Sequence, residues 1–445
     1  MKRSRAWSGA LAAAAAGLLS GASQAGTEDS YGLGPTDMAL GGSVAARPGT
    51  AAATYWNPAG LSPGGDTPPD PAGFGELSLA FVHAHPLVWA SRADGSSVPL
   101  AVEPPDTRQV VLGSRFDLLG RWGVPGLHVG LVFEVPATDI FRWSIHPDEA
   151  VQWLFLSDRS QHVGIHVAAG YRIVPWLSLG LGLTTLFDVE TNTTGTVTKV
   201  TSVVDPETGA SSLDVEALLG EQVRVFGRFA PNAGVLVTPV EELRIGATYR
   251  ARTYVDDWGS TRIQGAPVAG DLGYVHHYAH YFRPHELTLA LAARPHPSVW
   301  LSADVTYARW SEGLTTSHAA LGPGRFGDTF SPAVGVSWRP AAAIELQAGY
   351  KYAPSPFDNF GGPTNLLDAS SHVASFGGRV DLPPAYDTRA WVGWAFRTTF
   401  YQARAEEKDP RRFASDLAVL TNPGYPGYRY GGAVPAASLE VGVQW

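Results

Sequence analysis

Apolar and polar residues alternate with a period of two along most of the chain. Leu177, Leu179, Leu181 and Leu183 fall on one face of an extended segment, with Ser178, Gly180, Gly182 and Thr184 on the other. The same pattern sets Val299, Leu301, Ala303, Val305 and Tyr307 against Ser298, Ser302, Asp304 and Thr306. Ile344, Leu346, Ala348 and Tyr350 likewise oppose Glu345, Gln347, Gly349 and Lys351. Side chains of a strand point alternately to its two faces, so each segment predicts a strand with one apolar and one small or polar face. About fourteen strands are expected, over 74–90, 106–119, 126–135, 162–173, 176–187, 223–237, 242–255, 276–293, 298–310, 330–338, 342–352, 371–381, 388–402 and 437–445.

The connections carry as much information as the strands. Six are short and contain Pro, at 121–125, 174–175, 238–241, 295–297, 339–341 and 382–386. Proline lacks an N–H and stops a ladder. Between them lie long polar, Gly-rich connections near 91–105, 136–161, 188–222, 256–275, 311–329, 353–370 and 403–436. Short and long alternate without a break, as in an all-β transmembrane antiparallel barrel with tight periplasmic turns and long outer loops. Closure follows from the lipid, because an open sheet edge in hydrocarbon leaves backbone groups unpaired. In the final strand Leu439, Val441, Val443 and Trp445 alternate with Ser438, Glu440, Gly442 and Gln444. A terminal aromatic there resembles the assembly signal of bacterial outer-membrane barrels, which makes the barrel-assembly machinery and outer-membrane lipids expected partners of a monomer. Trp89, Trp122, Trp176, Trp300 and Trp338, near strand ends, read as girdle residues at the lipid–water boundary.

Composition narrows the class further. The chain has 445 residues and no Cys, which excludes disulfides, thiolate metal sites and thiol catalysis. A net charge of -9 argues against nucleic acid as a partner. Lys2, Arg3 and Arg5 precede an apolar run from Ala6 to Leu19 and then Ser23-Gln24-Ala25, the layout of a secretory signal cut after Ala25. Its removal leaves 29 Lys and Arg against 41 Asp and Glu, a mature charge of 29 − 41 = −12. Past Ala25 no stretch approaches the length of an apolar spanning helix. The expected organisation is therefore a signal peptide at 1–25, a segment and linker at 26–73, and a barrel at 74–445.

Residues 26–73 do not read as strands. They run through Gly32-Leu33-Gly34-Pro35 and Gly41-Gly42-Ser43-Val44-Ala45-Ala46 to Tyr55-Trp56-Asn57-Pro58-Ala59-Gly60-Leu61. Thr36 or Asp37 could cap a short helical turn. The segment is apolar yet too short for a core of its own, so it is expected inside the barrel. Asn57, next to a proline, is expected to tie its backbone to itself or to the wall.

Motifs suggestive of chemistry fail on context. Gly60-Leu61-Ser62-Pro63-Gly64 fits a nucleophile-elbow string, but Pro63 has no N–H for an oxyanion hole. Gly322-Pro323-Gly324-Arg325-Phe326-Gly327 matches a dinucleotide fingerprint without a βαβ unit. His276, His277, His280 and His285 form the densest His group, more simply rim side chains than a metal site, since no carboxylate run accompanies them. Lumen-facing cations remain. If Leu243, Ile245, Ala247 and Tyr249 face lipid, then Arg244 and Arg250 point inward, as does Lys351. Each could hold a carboxylate headgroup, or pair internally with Glu242, Glu345 or another lumen carboxylate. No catalytic residue, cofactor or metal is expected.

The Gly32–Leu61 stretch, ending in Asn57, Pro58, Ala59, Gly60 and Leu61, resembles the N-terminal hatch of the FadL-type long-chain fatty acid transporters. Further likeness runs through Leu243–Arg250, Asp304–Trp310, Gly349–Tyr352, Asn365–Asp368 and His372. Arg47-Pro48-Gly49 departs from the acidic or amide residues of many members. The resemblance implies a fourteen-stranded barrel plugged by a hatch and passive uptake of fatty acids or of aromatic or aliphatic hydrocarbons. It also implies lateral release into the membrane at a kinked third strand. A general diffusion porin and, less favoured, a membrane-embedded lipid hydrolase are the alternatives.

Overall fold

The computed structural model describes residues 30–48, 51–62, 75–93, 95–96, 103–117, 126–137, 151–153, 155–156, 162–204, 211–266, 270–312, 326–357, 366–385, 388–408 and 426–445. The expected signal at 1–25 and Trp122 lie outside them. The first elements are two short helices, α1 (Pro35–Ala39) and α2 (Ala53–Trp56), and a 3-10 turn at Pro58–Leu61. Strands follow: β1 (Gly75–Ala84), β2 (Leu87–Arg92), β3 (Thr107–Asp117), β4 (Leu127–Pro136), β5 (Gln152–Trp153), β6 (Gly164–Val174), β7 (Leu177–Val204) and β8 (Ser211–Val240). Then come β9 (Leu243–Arg250), β10 (Thr253–Ala266), β11 (Gly270–Arg283), β12 (Glu286–His296), β13 (Val299–Ala308), β14 (Thr329–Ala341) and β15 (Ile344–Ala353). The chain ends with β16 (Leu366–Leu367), β17 (Ser371–Asp381), β18 (Arg389–Glu407) and β19 (Gly427–Gln444).

Seventeen of these strands form one sheet. β1 with β2, β9 with β10 and β11 with β12 are single staves interrupted by short breaks, which leaves 17 − 3 = 14 staves, the number expected. The sheet closes antiparallel between β1 and β19, with Leu79 opposite Val441 and Phe81 opposite Leu439. Gly75 and Trp445 exchange both backbone hydrogen bonds at 3.1 Å, so the last residue locks the seam. The alternation fixes which face meets lipid. Leu179, Leu181, Leu183, Leu287, Leu289 and Leu291 all project outward and are exposed on the isolated chain, the apolar band a membrane covers.

Two expected loops are strands, and a third, 403–436, begins in β18 and ends in β19. Residues 188–204 and 211–222 continue β7 and β8 as a hairpin beyond the barrel, and 256–275 contain the β10–β11 hairpin. In 188–204 Thr and Val, which favour extended backbone, form the strand without a sustained apolar face. β8 pairs β7 throughout, so β10, pairing parallel with β7 from Asp257–Val189 to Gln264–Thr196, takes its other edge. The connection before β6 contributes β5, which pairs parallel with β16 from the connection before β17.

The N-terminal segment runs across the lumen, where the wall is lined with glycine. An added Cβ at Gly170 or Gly180 would lie within 3.0 Å of the backbone around Pro58 and Ala59. The same closeness holds between Gly246 and Ala45, between Gly349 and Leu40, and between Gly377 and Ala39. Gly170 pairs with Gly180 and Gly180 with Gly234, so the cleared belt is one residue high over neighbouring staves. Absent side chains make the room that the segment fills. The cap of α1 differs from expectation: Gly34 is N-cap and Pro35 begins the helix, while Asp37 serves elsewhere.

Candidate functional site

The segment is held by polar contacts all round the wall. Asn57 Nδ2 donates to Ala45 O (2.7 Å) within the segment and to Val235 O (3.2 Å) of β8, while its Oδ1 accepts from Ala59 N (3.1 Å). Asn232 Nδ2 donates to Thr54 O, Ser43 Oγ meets Ser302 Oγ at 2.8 Å, and Ala45 N donates to Asp304 Oδ2 at 2.9 Å. Ala51 N donates to Glu76 Oε1 and Ser375 Oγ to Ala39 O, both at 2.9 Å. Asp37 Oδ2 accepts from Trp56 Nε1 (2.7 Å) and Leu33 N (3.2 Å), joining α1 to α2. Burial pushes the Asp37 carboxyl up to about 6, although both hydrogen bonds favour its charged form.

Above the segment, on the side of the long connections, a cavity of about 170 Å³ is lined by Trp56, Arg250, Glu286, Asp304, Trp310, Lys351, Asp368 and Arg397 among others. Arg250 and Lys351 therefore share one chamber. Arg250 donates through Nε (2.9 Å) and Nη2 (2.7 Å) to Glu286 Oε2, and its guanidinium lies 4.5 Å from the Tyr55 ring centre. Arg283 Nη1 donates to Tyr55 OH at 3.0 Å. Lys351 stands within electrostatic range of Asp304. Burial also lifts Asp368, which accepts from Ser355, to about 7. Further out, Phe282, Trp310, Phe326, Phe357 and Leu366 form an apolar cluster.

Arg244 is elsewhere. It lines a larger cavity of about 710 Å³ below the segment, ringed by the short turns and by Gln444. Among the described residues seven guanidinium groups line this vestibule, those of Arg47, Arg115, Arg244, Arg294, Arg339, Arg379 and Arg389, against the carboxylates of Glu76, Glu345 and Asp381. Glu345 Oε1 takes Arg47 Nη2 at 3.3 Å and its Oε2 takes Arg339 Nη2 at 2.7 Å. Arg47, Arg244 and Arg294 all sit over one ring, that of Trp300, at 5.2, 5.0 and 5.4 Å. Trp300 is thus not a girdle residue: it is 8% exposed, whereas Trp338, which pairs with Val299 on the adjoining strand, is 49% exposed. Trp300 shares the inward parity of Ser302 and Asp304, and proximity to a turn misled where alternation decides. Trp89 and Trp176 do project outward.

A buried chain of side chains escaped the sequence reading. Thr184 Oγ1 lies 2.9 Å from His166 Nδ1, His166 Nε2 lies 2.9 Å from Glu134 Oε1, and Gln109 donates to Glu134 Oε2. The His166 and Glu134 side chains have no exposed surface, and the Tyr55 ring packs edge-on to His166. The order of hydroxyl, imidazole and carboxylate suggests a hydrolytic triad, but the group is sealed within the wall and joins β3, β4, β6 and β7. Its signal was present as polar residues on the inward parity of four successive strands. Ser62 Oγ, from the elbow-like string, donates to Gly126 O at 2.9 Å. Side chains of His276, His277 and His280 lie outside the described residues; His285 Nδ1 accepts from Tyr249 OH at 2.7 Å. Among the described residues no group of three metal-ligating side chains occurs.

Comparison with known proteins agrees with this architecture. Residues 159–377 match the family described as outer membrane protein transport protein (OMPP1/FadL/TodX). Alkane uptake protein A of Marinobacter nauticus is 23% identical, covering 88% of this chain and 87% of that protein. A FadL homologue of Pseudomonas aeruginosa superposes with a TM-score of 0.53 at 14% identity, covering 96% of this chain and 99% of the other. The P. putida toluene transporter TodX gives 0.53 at 15%, covering 93% and 98%. The chain is an outer-membrane β-barrel similar to the FadL-type channels for hydrophobic compounds.

Proposed function

We propose that the chain takes up hydrophobic molecules passively, with segment 26–73 as the hatch, and releases them sideways into the membrane without any enzymatic step. The observation that carries this is the fit between residues 30–62 and the glycine-lined wall. A wide aqueous pore and a segment so seated do not coexist, which disfavours the general porin. Long-chain fatty acids and neutral hydrocarbons both suit the outer chamber, with its Trp56 and Trp310 beside Lys351. The likeness to an alkane uptake protein favours hydrocarbons.

Sideways release is supported by what lies below. An apolar chain continuing straight through would meet the guanidinium groups of the vestibule and strip water from them, which is costly for charge. The third stave, β4, pairs with β3 and β6 without a register shift, so release there requires movement of the wall or of the segment packed against it. The deciding experiment removes residues 26–61. Passage of small sugars into liposomes should rise and specific hydrocarbon uptake should vanish. If the intact protein already passes sugars freely, the general-porin reading replaces this one.

A further inference from the structure

We infer that β5 and β16, paired across the outer mouth, form a lid on the outer chamber which an apolar cargo must part to enter. The inference deepens the uptake reading above and rests on it for the direction of travel.

Volume is the first argument. The outer chamber holds about 170 Å³, whereas pockets for organic ligands run from about 300 to 1,000 Å³. Entry of a long apolar molecule therefore needs one side of the chamber to give. The floor is the N-terminal segment, bonded to the wall through Asn57, Ser43 and Ala45. The sides are the closed barrel, whose backbone pairs have no substitute in lipid. The roof is different. Phe155, Leu156, Asp368 and Ala369, from the connections before β6 and β17, line the chamber. Those two connections are joined by the pairing of Gln152 with Leu366 and of Trp153 with Leu367. Packing is the second argument. Successive residues of the lid go to different apolar clusters. Trp153 and Leu367 join Tyr428, Tyr430 and Val434 of β19, while Leu366 joins Phe282 of β11 and Trp310. The lid thus spans the mouth from β19 to β11 and is held at both ends by apolar burial. An apolar molecule can replace the contacts it breaks there, and a sugar cannot, so the lid selects for the cargo. A catch is the third. Tyr430 OH donates to Asp368 O at 2.9 Å, and Arg404 Nη1 donates to the same oxygen at 3.3 Å and to Phe357 O at 3.2 Å. The Trp153 ring lies over the same place, 5.2 Å from Tyr401 and 5.5 Å from Tyr430.

The full-length chain has no Cys, so a disulfide lock can be introduced without competing thiols. Gln152→Cys with Leu366→Cys puts two thiols on paired positions, where a strand spacing of about 4.8 Å suits a disulfide. The protein in neutral detergent, oxidised or reduced, is irradiated with a diazirine-bearing decane, and label is read by mass spectrometry at Trp56 and Trp310 of the chamber. The oxidised form should carry at least about tenfold less label. Reductant should restore it, and oxidant should leave both single variants unchanged. Tyr430→Phe keeps the ring beside Trp153 and removes one tie, so label should accumulate about threefold faster. Equal label in the oxidised and reduced double variant would overturn the inference. So would failure of the two thiols to join under oxidant, since the pairing itself would then be absent. An unchanged rate in Tyr430→Phe would overturn that bond as part of the closure. Alkane uptake is measured in cells bearing the same variants, and should stop on oxidation and return on reduction. Uptake missing from wild-type cells, with label still reaching the chamber of the reduced protein, would count against the uptake reading and leave the lid standing.

Discussion

Gly180→Ala is the smallest change that tests whether the segment seals the lumen. A methyl group at this position would come within 3.0 Å of the carbonyl carbon of Pro58 and the amide of Ala59. Both are backbone atoms of a turn whose residues are almost all buried, so no flexible side chain can swing aside. The wall cannot yield either, since Gly180 pairs with Gly170 on one side and Gly234 on the other. Overpacking of this kind costs about 1–3 kcal/mol, which lowers the ratio of seated to unseated segment from about fivefold to more than a hundredfold. The barrel itself should assemble normally, because alanine fits a strand and the lipid-facing leucines are untouched. Limited proteolysis at the segment and sugar permeation in liposomes read the outcome, with heat-modifiable mobility as the control for assembly. Gly227→Ala, where the nearest atom is 3.5 Å away, should change nothing. Unaltered protease protection and a closed lumen in Gly180→Ala would refute the claim that this contact seats the segment.

Other expectations follow from single residues. Lys351→Met should weaken binding of decanoate about tenfold while sparing a matched alkane, whereas Arg250→Met, by orphaning the part-buried Glu286, should weaken both; equal loss from Lys351→Met would mark a structural cation. The Asp37 carboxyl is raised to about 6, so its contribution to seating is full below its ordinary value and is lost as pH rises through about 6. Protease protection of the segment should thus fall between pH 4 and 7 in the wild-type protein and fall less in Asp37→Asn; parallel profiles of equal amplitude would contradict this. Deleting Trp445 should lower the assembled fraction on heat-modifiability gels, because its backbone closes the seam with Gly75.

The staves were legible because lipid outside and a packed lumen inside impose opposite demands on alternate residues, and Leu177–Thr184 obeys both. Where water replaces lipid that demand lapses, and the extension of β7 over 188–204 reads as a loop for want of a sustained apolar face. The sealing segment could be suspected from its apolar, Gly-rich sequence, but not its partners. Asn57 meets Val235 across 178 residues of chain, and nothing local in either stretch encodes the other. The inward glycines are the half of that fit which the sequence did carry, as the small face of each strand.

The three cations show where parity stops being enough. Arg244 and Arg250 lie on the same face of β9, both inward, and alternation cannot tell them apart. They are six residues apart in an extended strand, which rises about 3.3 Å per residue, so their side chains leave the wall about 20 Å from one another. A segment crossing the lumen between them divides one apparent site into two. Arg250 falls in the outer chamber with Lys351, pressed against Tyr55, and Arg244 falls in the vestibule with Arg47 and Trp300. What a strand residue does in this barrel is therefore set by its height relative to the segment as much as by the face it occupies. That height is fixed by the glycine belt, whose position along each strand the sequence does state.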